Sequence, residues 1–195
     1  EFDCQTRLDR LSNEEILNLL VRSGCKWLEI GIESSSLETR NLYKKYSKAY
    51  TNSFIEELLL KLRDKGIPVC FDMLVGLPNE TLDQMKISID WVSDLIDKGL
   101  LQASYVFNLV PYPGTEMYSL PEQHGIKIRH QNFDLYREDL LPVYDTRYAT
   151  AEQIYDVLLY GIQHISNSLN SKPYFGRSNE ISKDQLGGFW DSAHP

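Results

Sequence analysis

Residues 26–34 alternate without a break: Leu28, Ile30 and Ile32 fall on one side, and Trp27, Glu29, Gly31 and Glu33 on the other. Successive strand side chains take opposite faces, so the pattern predicts a strand with one aliphatic face suited to covering helices. The other face carries two carboxylates and a glycine in the middle of a sheet, where a charge is expensive without a partner. Such a face points to a ligand.

Residues 2–7 alternate in the same way, Phe2, Cys4 and Thr6 against Asp3, Gln5 and Arg7. Ser12-Asn13-Glu14-Glu15 reads as a capping box opening a helix that stops at Gly24, and Ser53-x-x-Glu56 opens a second helix ending at Gly66. Residues 67–76 predict a strand with Val69, Phe71, Met73 and Val75 opposite Cys70, Asp72, Leu74 and Gly76. From Pro78-Asn79-Glu80 a third helix follows, with Leu82, Met85, Ile89, Val92 and Ile96 about a turn apart. Residues 102–110 predict another strand, closed by the stiff turn Pro111-Tyr112-Pro113-Gly114. Thr150-x-x-Gln153 caps a long amphipathic helix. The tail, 172–195, rich in Ser, Gly, Lys and Asp, is expected to be disordered or to dock by Phe175, Phe189 and Trp190.

Strand and helix alternating in this order predict an α/β fold with a parallel sheet and outer helices. Both faces of a doubly wound sheet are aliphatic, and a closed eight-stranded barrel is filled by branched aliphatics. Here the inward candidates are Asp3, Gln5, Arg7, Glu29, Glu33, Asp72, Ser104 and Asn108. Polar residues on strand after strand favour a wide, incompletely closed barrel with a wet or ligand-filled lumen. Ligands of such folds gather at the carboxyl ends of the strands, here Arg7, Glu33 and Ser34, residues 76–78 and residues 110–113.

Composition narrows the picture further. A net charge of −8 over 195 residues argues against a general nucleic-acid surface. No apolar run approaches the roughly 20 residues of a membrane helix. The first residues carry neither the basic nor the apolar region of a signal peptide; a cytoplasmic location is the expectation. Cys4, Cys25 and Cys70 are too widely spaced for a local metal motif, and His124, His130, His164 and His194 lack ligand spacing, so no metal site is expected. Beginning in mid-strand, the sequence is expected to be a piece of a longer protein, and the open edge at residues 2–7 to favour dimerisation.

The strand ends carry a resemblance. Thr6-Arg7-Leu8-Asp9, then Gly31-Ile32-Glu33-Ser34, Lys48-Ala49-Tyr50-Thr51, residues 72–81 (Asp-Met-Leu-Val-Gly-Leu-Pro-Asn-Glu-Thr) and residues 111–118 (Pro-Tyr-Pro-Gly-Thr-Glu-Met-Tyr) resemble, in order and spacing, radical S-adenosylmethionine (SAM) enzymes. The group that also carries a cobalamin-binding domain is the most similar. The resemblance implies part of a six-stranded partial (βα)6 TIM-like barrel, with residues 1–120 holding its last four βα units. Residues 121–171 would be a C-terminal helical extension. It further implies SAM, a [4Fe–4S] cluster held by a Cys-x-x-x-Cys-x-x-Cys segment, and cobalamin as a further cofactor. This sequence contains no such cysteine triplet. Ala49 and Ser35 stand where the family usually has glycine.

On this resemblance Glu33 corresponds to a ribose-contacting position, with Ser34 as a helping donor. Gly76, Leu77 and Pro78 correspond to the adenine-flanking segment, with Tyr112 and Pro113 opposite. Each also has a plainer reading: Glu33 paired to Arg7, Ser34 as a cap, residues 76–78 and 111–114 as ordinary turns. Arg7, Gln5, Glu29, Asp72 and Asn108 are the substrate or lumen candidates, and Arg7 is expected mainly to balance Glu29 and Glu33. The leading expectation is the C-terminal portion of a radical SAM core that binds the adenosyl part of SAM and acts on a small-molecule substrate. Two alternatives stay open: a degenerate barrel that only binds a nucleotide or partner, and a non-radical lyase or hydrolase using Glu29 and Glu33. The last is disfavoured by geometry, because carboxylates four residues apart along a strand lie about 13 Å from each other.

Overall fold

Helix and strand alternate as the pattern predicts in the computed structural model, which describes residues 1–44 and 50–171. The elements are β1 (Phe2–Thr6), a 3-10 turn (Leu8–Arg10), α1 (Glu14–Ser23), β2 (Cys25–Glu33), α2 (Leu37–Leu42), α3 (Asn52–Asp64) and β3 (Val69–Val75). Then come α4 (Leu82–Asp97), β4 (Ala103–Asn108), α5 (Glu116–Ser119), β5 (Ile126–Ile128), a second 3-10 turn (Phe133–Leu135), β6 (Tyr144–Thr146) and α6 (Ala151–Asn170). The first four strands form one sheet in the order β1-β2-β3-β4, every neighbouring pair parallel. Lys48, Ala49 and the tail 172–195 lie outside the described residues.

Helix starts are set by side chains that accept the first free backbone N–H groups. Thr150 and Gln153 form the expected reciprocal box on α6. Elsewhere the start is shifted. Asn13, not Ser12, caps α1, and Thr51, not Ser53, caps α3. Helix α4 begins at a Thr81–Gln84 box, because residues 77–80 are used in a tight turn closed by Glu80 N–H to the Leu77 carbonyl at 3.0 Å.

Paired residues of parallel strands share a face, so the register sorts the sheet. One face carries Leu28, Ile30, Val69, Phe71, Met73, Val75 and Val106, all buried, under the helices. The opposite, lumen face carries the rows Gln5–Glu29–Cys70–Ala103 and Gly31–Asp72–Tyr105. Two inward candidates change sides. Ser104 pairs with Phe71 and Asn108 with Val75, so both lie on the helix-covered face. The parity of β4 runs through Ala103, Tyr105 and Phe107 on the lumen side, one residue off the expected phase.

The segment expected as a helical extension, 121–171, also contains a two-stranded antiparallel ribbon, β5–β6. Its helix α6 lies on the same core, against α4 and β4. Gly161 allows the approach: a Cβ there would sit 3.0 Å from Ile89 Cδ1 and 3.3 Å from Val106. The ribbon is held to α6 by Arg129, which pairs with both Asp145 and Glu152. The fully buried Tyr144 donates its hydroxyl to the Gly76 carbonyl at 2.9 Å. Among the described residues no helix is long and apolar enough to cross a membrane.

Gly76 has φ +79°, and a Cβ there would collide with the Tyr144 hydroxyl and lie 3.0 Å from Ile154 Cγ2. Left-handed backbone costs an ordinary residue about 1–2 kcal/mol, and overpacking a tight core about 1–3 kcal/mol. Gly76→Ala is expected to destabilise by about 2–5 kcal/mol in urea unfolding, and adding Tyr144→Phe should restore part of the loss. A Gly76→Ala midpoint equal to wild type would show that this contact yields freely.

Candidate functional site at the strand ends

Strand β2 breaks its register near its carboxyl end. Gly31 pairs with Asp72 but Glu33 with Met73, leaving Ile32 as the extra residue of a bulge. Glu33 takes φ +64°, a left-handed conformation uncommon for a residue with a side chain. The bulge separates two neighbours expected to act together. Glu33 is half-buried at the strand's carboxyl end, while Ser34 is 0% exposed, turned into the protein. The Ser34 hydroxyl is engaged within the protein: it donates to Glu80 Oε1 and accepts from the Ser36 N–H at 2.9 Å.

Around Ser34 lies a buried polar cluster that the sequence pattern did not single out. Ser88, on the buried face of α4, accepts from the Ser35 N–H at 3.0 Å and lies 2.9 Å from Ser35 Oγ. Arg40 of α2, 1% exposed, donates to the Ser34 carbonyl at 2.7 Å, to Tyr50 O at 3.0 Å and to Asn52 Oδ1 at 2.9 Å. Asn79 donates to the Thr39 hydroxyl at 2.8 Å. Glu80 itself is 0% exposed, and its Oε2 has no hydrogen bond among the described residues. Burial pushes its carboxyl above the usual range, while the Ser34 and Thr39 hydroxyls and the Arg40 charge pull the other way. Burial likewise raises the nearby Tyr43 to about 12, with the Glu80 charge adding to it. The legible signal was small: Ser88 and Ser93 are polar residues on an otherwise apolar helix stripe.

On the lumen face the structure brings Gln5, Glu29 and Asp72 together. Gln5 donates its amide to Glu29 Oε1. Cys70 is buried between them, its thiol pushed up by burial first and by the Asp72 and Glu29 charges second. Tyr105, 42% exposed, is raised by burial and then by Cys70, Glu29 and Asp72. Arg7 forks onto Asp9, at 3.1 and 3.0 Å, and this hydrogen bond is the main cause of the lowered Asp9 carboxyl. Glu29 takes its hydrogen bond from the neutral amide of Gln5, and Arg7 is engaged with Asp9.

The other predicted contacts divide. Tyr112 and Pro113 are exposed after β4, with the Tyr112 hydroxyl donating to Glu138 Oε1 at 3.2 Å. Gly76, Leu77 and Pro78 are buried. The Gly76 carbonyl accepts from Tyr144, its N–H points to Met85 Sδ at 3.4 Å, and the Leu77 carbonyl closes the turn to Glu80. A glycine is needed here for Tyr144. Asn108 is buried and donates to the Arg137 and Leu140 carbonyls at 3.1 and 2.9 Å, which fixes the loop before β6 and removes it from the lumen set. Among the described residues no three His, Cys, Asp or Glu side chains group as a metal site.

Residues 1–92 match the sequence model of the Radical SAM superfamily. A tRNA-2-methylthio-N(6)-dimethylallyladenosine synthase of Thermoanaerobacter sp. (strain X514) is 25% identical over 161 residues, covering 80% of this chain and 32% of that protein. A tryptophan 2-C-methyltransferase of Streptomyces laurentii is 30% identical over 114 residues, 57% of this chain and 19% of that protein. The chain thus spans about a third or less of the length of these relatives. Among solved structures, coproporphyrinogen III oxidase (HemN) from Escherichia coli, a radical SAM enzyme, superposes with a TM-score of 0.57 at 18% identity, over 95% of this chain and 37% of that one. That likeness concerns the fold, and it makes the parallel sheet one wall of a partial barrel. The family match covers residues 1–92, just under half of this chain, and within it lie the motifs at the ends of β1, β2 and β3 that first carried the resemblance to radical SAM enzymes.

Proposed function

We propose that the full-length protein is a radical SAM enzyme and that this chain supplies the part of its core that receives the adenosyl group. The observation that carries the reading is Glu33: a half-buried carboxylate at the carboxyl end of β2, held at φ +64° inside the segment that matches the family. A carboxylate accepts two hydroxyl hydrogen bonds without donating any, which suits a ribose diol. Tyr112 and Pro113, exposed after β4, offer a flat flank for the purine. SAM and a [4Fe–4S] cluster, when bound, supply the 5′-deoxyadenosyl radical. The residues described here fit the nucleoside end of that assembly; the cysteine triplet for the cluster is not in this sequence.

Gln5, Glu29, Asp72 and Tyr105 then line the lumen below the adenosyl group and contact substrate. The acidic balance of the chain favours a small molecule over a nucleic acid. The two relatives named above modify a tRNA base and tryptophan, so the reaction itself is not carried over from either. A cytoplasmic location goes with this reading.

Glu33→Gln keeps the shape but turns one acceptor into a donor. A hydrogen bond to a charged group contributes about 1.5–3 kcal/mol, so SAM binding to the full-length protein should weaken roughly ten- to hundredfold. Glu29→Gln, about 13 Å deeper along the strand, should leave SAM affinity unchanged and alter substrate turnover. Anaerobic calorimetry on both variants separates the roles, and unchanged binding by Glu33→Gln would sink the ribose assignment.

Strand β1 is at the sheet edge, where unpaired backbone groups recruit another strand. Light scattering of this 195-residue chain should show mass rising with concentration. A constant monomer mass would show the edge to be covered.

A further inference from the structure

Two aromatic rings on the edge strand have no part in the adenosyl contacts. Tyr105 and Phe107 follow one another on the lumen side of β4, with ring centroids 6.1 Å apart and planes 34° from each other. Tyr105 is 42% exposed and Phe107 half-buried, so neither ring is closed over. Beside the rings the lumen floor is low: Gly31 has no side chain and Ala103 only a methyl. The rows next to them, Gln5–Glu29–Cys70–Ala103 and Gly31–Asp72–Tyr105, carry two carboxylates and no lysine or arginine. Glu29 takes its hydrogen bond from the neutral Gln5 amide, which leaves its charge in place. After burial and Cys70, the Glu29 and Asp72 charges are what raise the Tyr105 hydroxyl, so rings and acids share one field.

We propose that this lumen takes an aromatic substrate carrying an amino group, with Tyr105 and Phe107 receiving the ring and Asp72 and Glu29 the ammonium. Aromatic rings gain from offset or edge-to-face contact beyond the area they bury, and a cation is drawn to the faces of Tyr and Phe. Ionised carboxylates only accept hydrogen bonds, so they select a donor or a cation. An anionic substrate would add a further negative charge to rows that hold no basic residue. A purely apolar one would strip water from both carboxylates and return no partner. An aromatic amine meets both demands. The spacing suits it: Asp72 pairs with Tyr105 on the adjacent strand, and Glu29 lies one row deeper, about 8 Å from Asp72 along the backbone surface. A ring on the Tyr105 side therefore brings an amine on a short arm within reach of either carboxylate. The inference rests on the adenosyl reading in taking the lumen as the substrate space, and adds to it the class of substrate.

The test is calorimetric binding of three small probes to the full-length protein, with its cluster and SAM in place and no reductant. 2-Phenylethylamine should bind about tenfold tighter than 3-phenylpropionate, which keeps the ring and reverses the charge. It should bind about threefold tighter than 2-cyclohexylethylamine, which keeps the charge and loses the aromatic faces. Asp72→Asn keeps the shape and should cut the preference for amine over carboxylate about tenfold, and Glu29→Gln should move it the same way. Tyr105→Leu should erase the preference for the aromatic over the saturated amine, and Phe107→Leu gives the same readout if Tyr105→Leu fails to fold. Each readout is a ratio of two ligands on one protein, so partial unfolding, which scales both affinities alike, does not move it. Equal affinity for the three probes, no binding of any, or ratios that none of these variants moves would overturn the proposal. SAM affinity of Glu33→Gln, measured alongside, separates the two levels. If it falls while the probes bind without preference, the amine assignment is overturned and the adenosyl reading stands. If it does not fall while the probe order holds, the adenosyl reading fails and the lumen keeps its aromatic amine.

Discussion

A carboxyl group cut off from water underlies the whole mouth of this sheet. Glu80 is held where ionisation is disfavoured by burial and favoured only by two hydroxyls and the neighbouring Arg40. Such a group has few stable arrangements, because any shift that loses the Ser34 bond leaves a buried oxygen unsatisfied at a cost of about 1–3 kcal/mol. The contact therefore works as a fixed point rather than as a source of net stability. From it one can trace outward: Ser34 to Arg40 and α2, Ser35 to Ser88 and α4, and the turn of residues 77–80 back to Tyr144 under Gly76. Helices α2 and α4 and the turn after β3 thus meet at one polar knot at the residues that follow Glu33.

The sheet above that knot has two unlike faces, and the division of labour follows from them. Its helix side is filled by Leu28, Ile30, Val69, Phe71, Met73 and Val75, which are at most 2% exposed. Burying each such side chain contributes about 1.5–3 kcal/mol, so this side supplies the stability. The lumen side has Gln5, Glu29, Asp72 and Tyr105, partly exposed, and the Glu29 and Asp72 charges add to burial in raising the Cys70 thiol and the Tyr105 hydroxyl. A sheet whose stability comes from one face can keep polar groups on the other, where a substrate would meet them.

Much of this was legible. Period-two alternation marked all four parallel strands, and the Gly24 and Gly66 stops and the Thr150–Gln153 box marked helix ends. What alternation cannot supply is phase across an irregularity. The bulge at Ile32 turned Ser34 inward, and the onset of β4 put Asn108 on the covered face. Cap placement failed for a related reason: several Ser, Thr and Asn stand near each helix start, and only the tertiary turn of residues 77–80 decides that Thr81 caps α4. The need for glycine at position 76 was not legible either, because the group it makes room for, Tyr144, lies 68 residues away. The polar knot was the least legible part, because Arg40, Glu80 and Ser88 come from three segments that no local pattern relates.

The bulge also explains why a carboxylate rather than a backbone group ends β2. In a regular strand, Glu33 would continue the row of Glu29 and Gly31 on the lumen face, about 13 Å beyond Glu29 along the strand. One extra residue at Ile32 and a left-handed Glu33 take the third carboxylate out of that row and leave it at the rim. Such a backbone conformation costs about 1–2 kcal/mol for a residue with a Cβ. The chain tolerates it because Ser34 is anchored on the far side, so the strain at Glu33 and the buried bond at Glu80 belong to one device. The carboxylate so placed stands at the rim, apart from the acids below, where the proposed hydroxyl contact would be made.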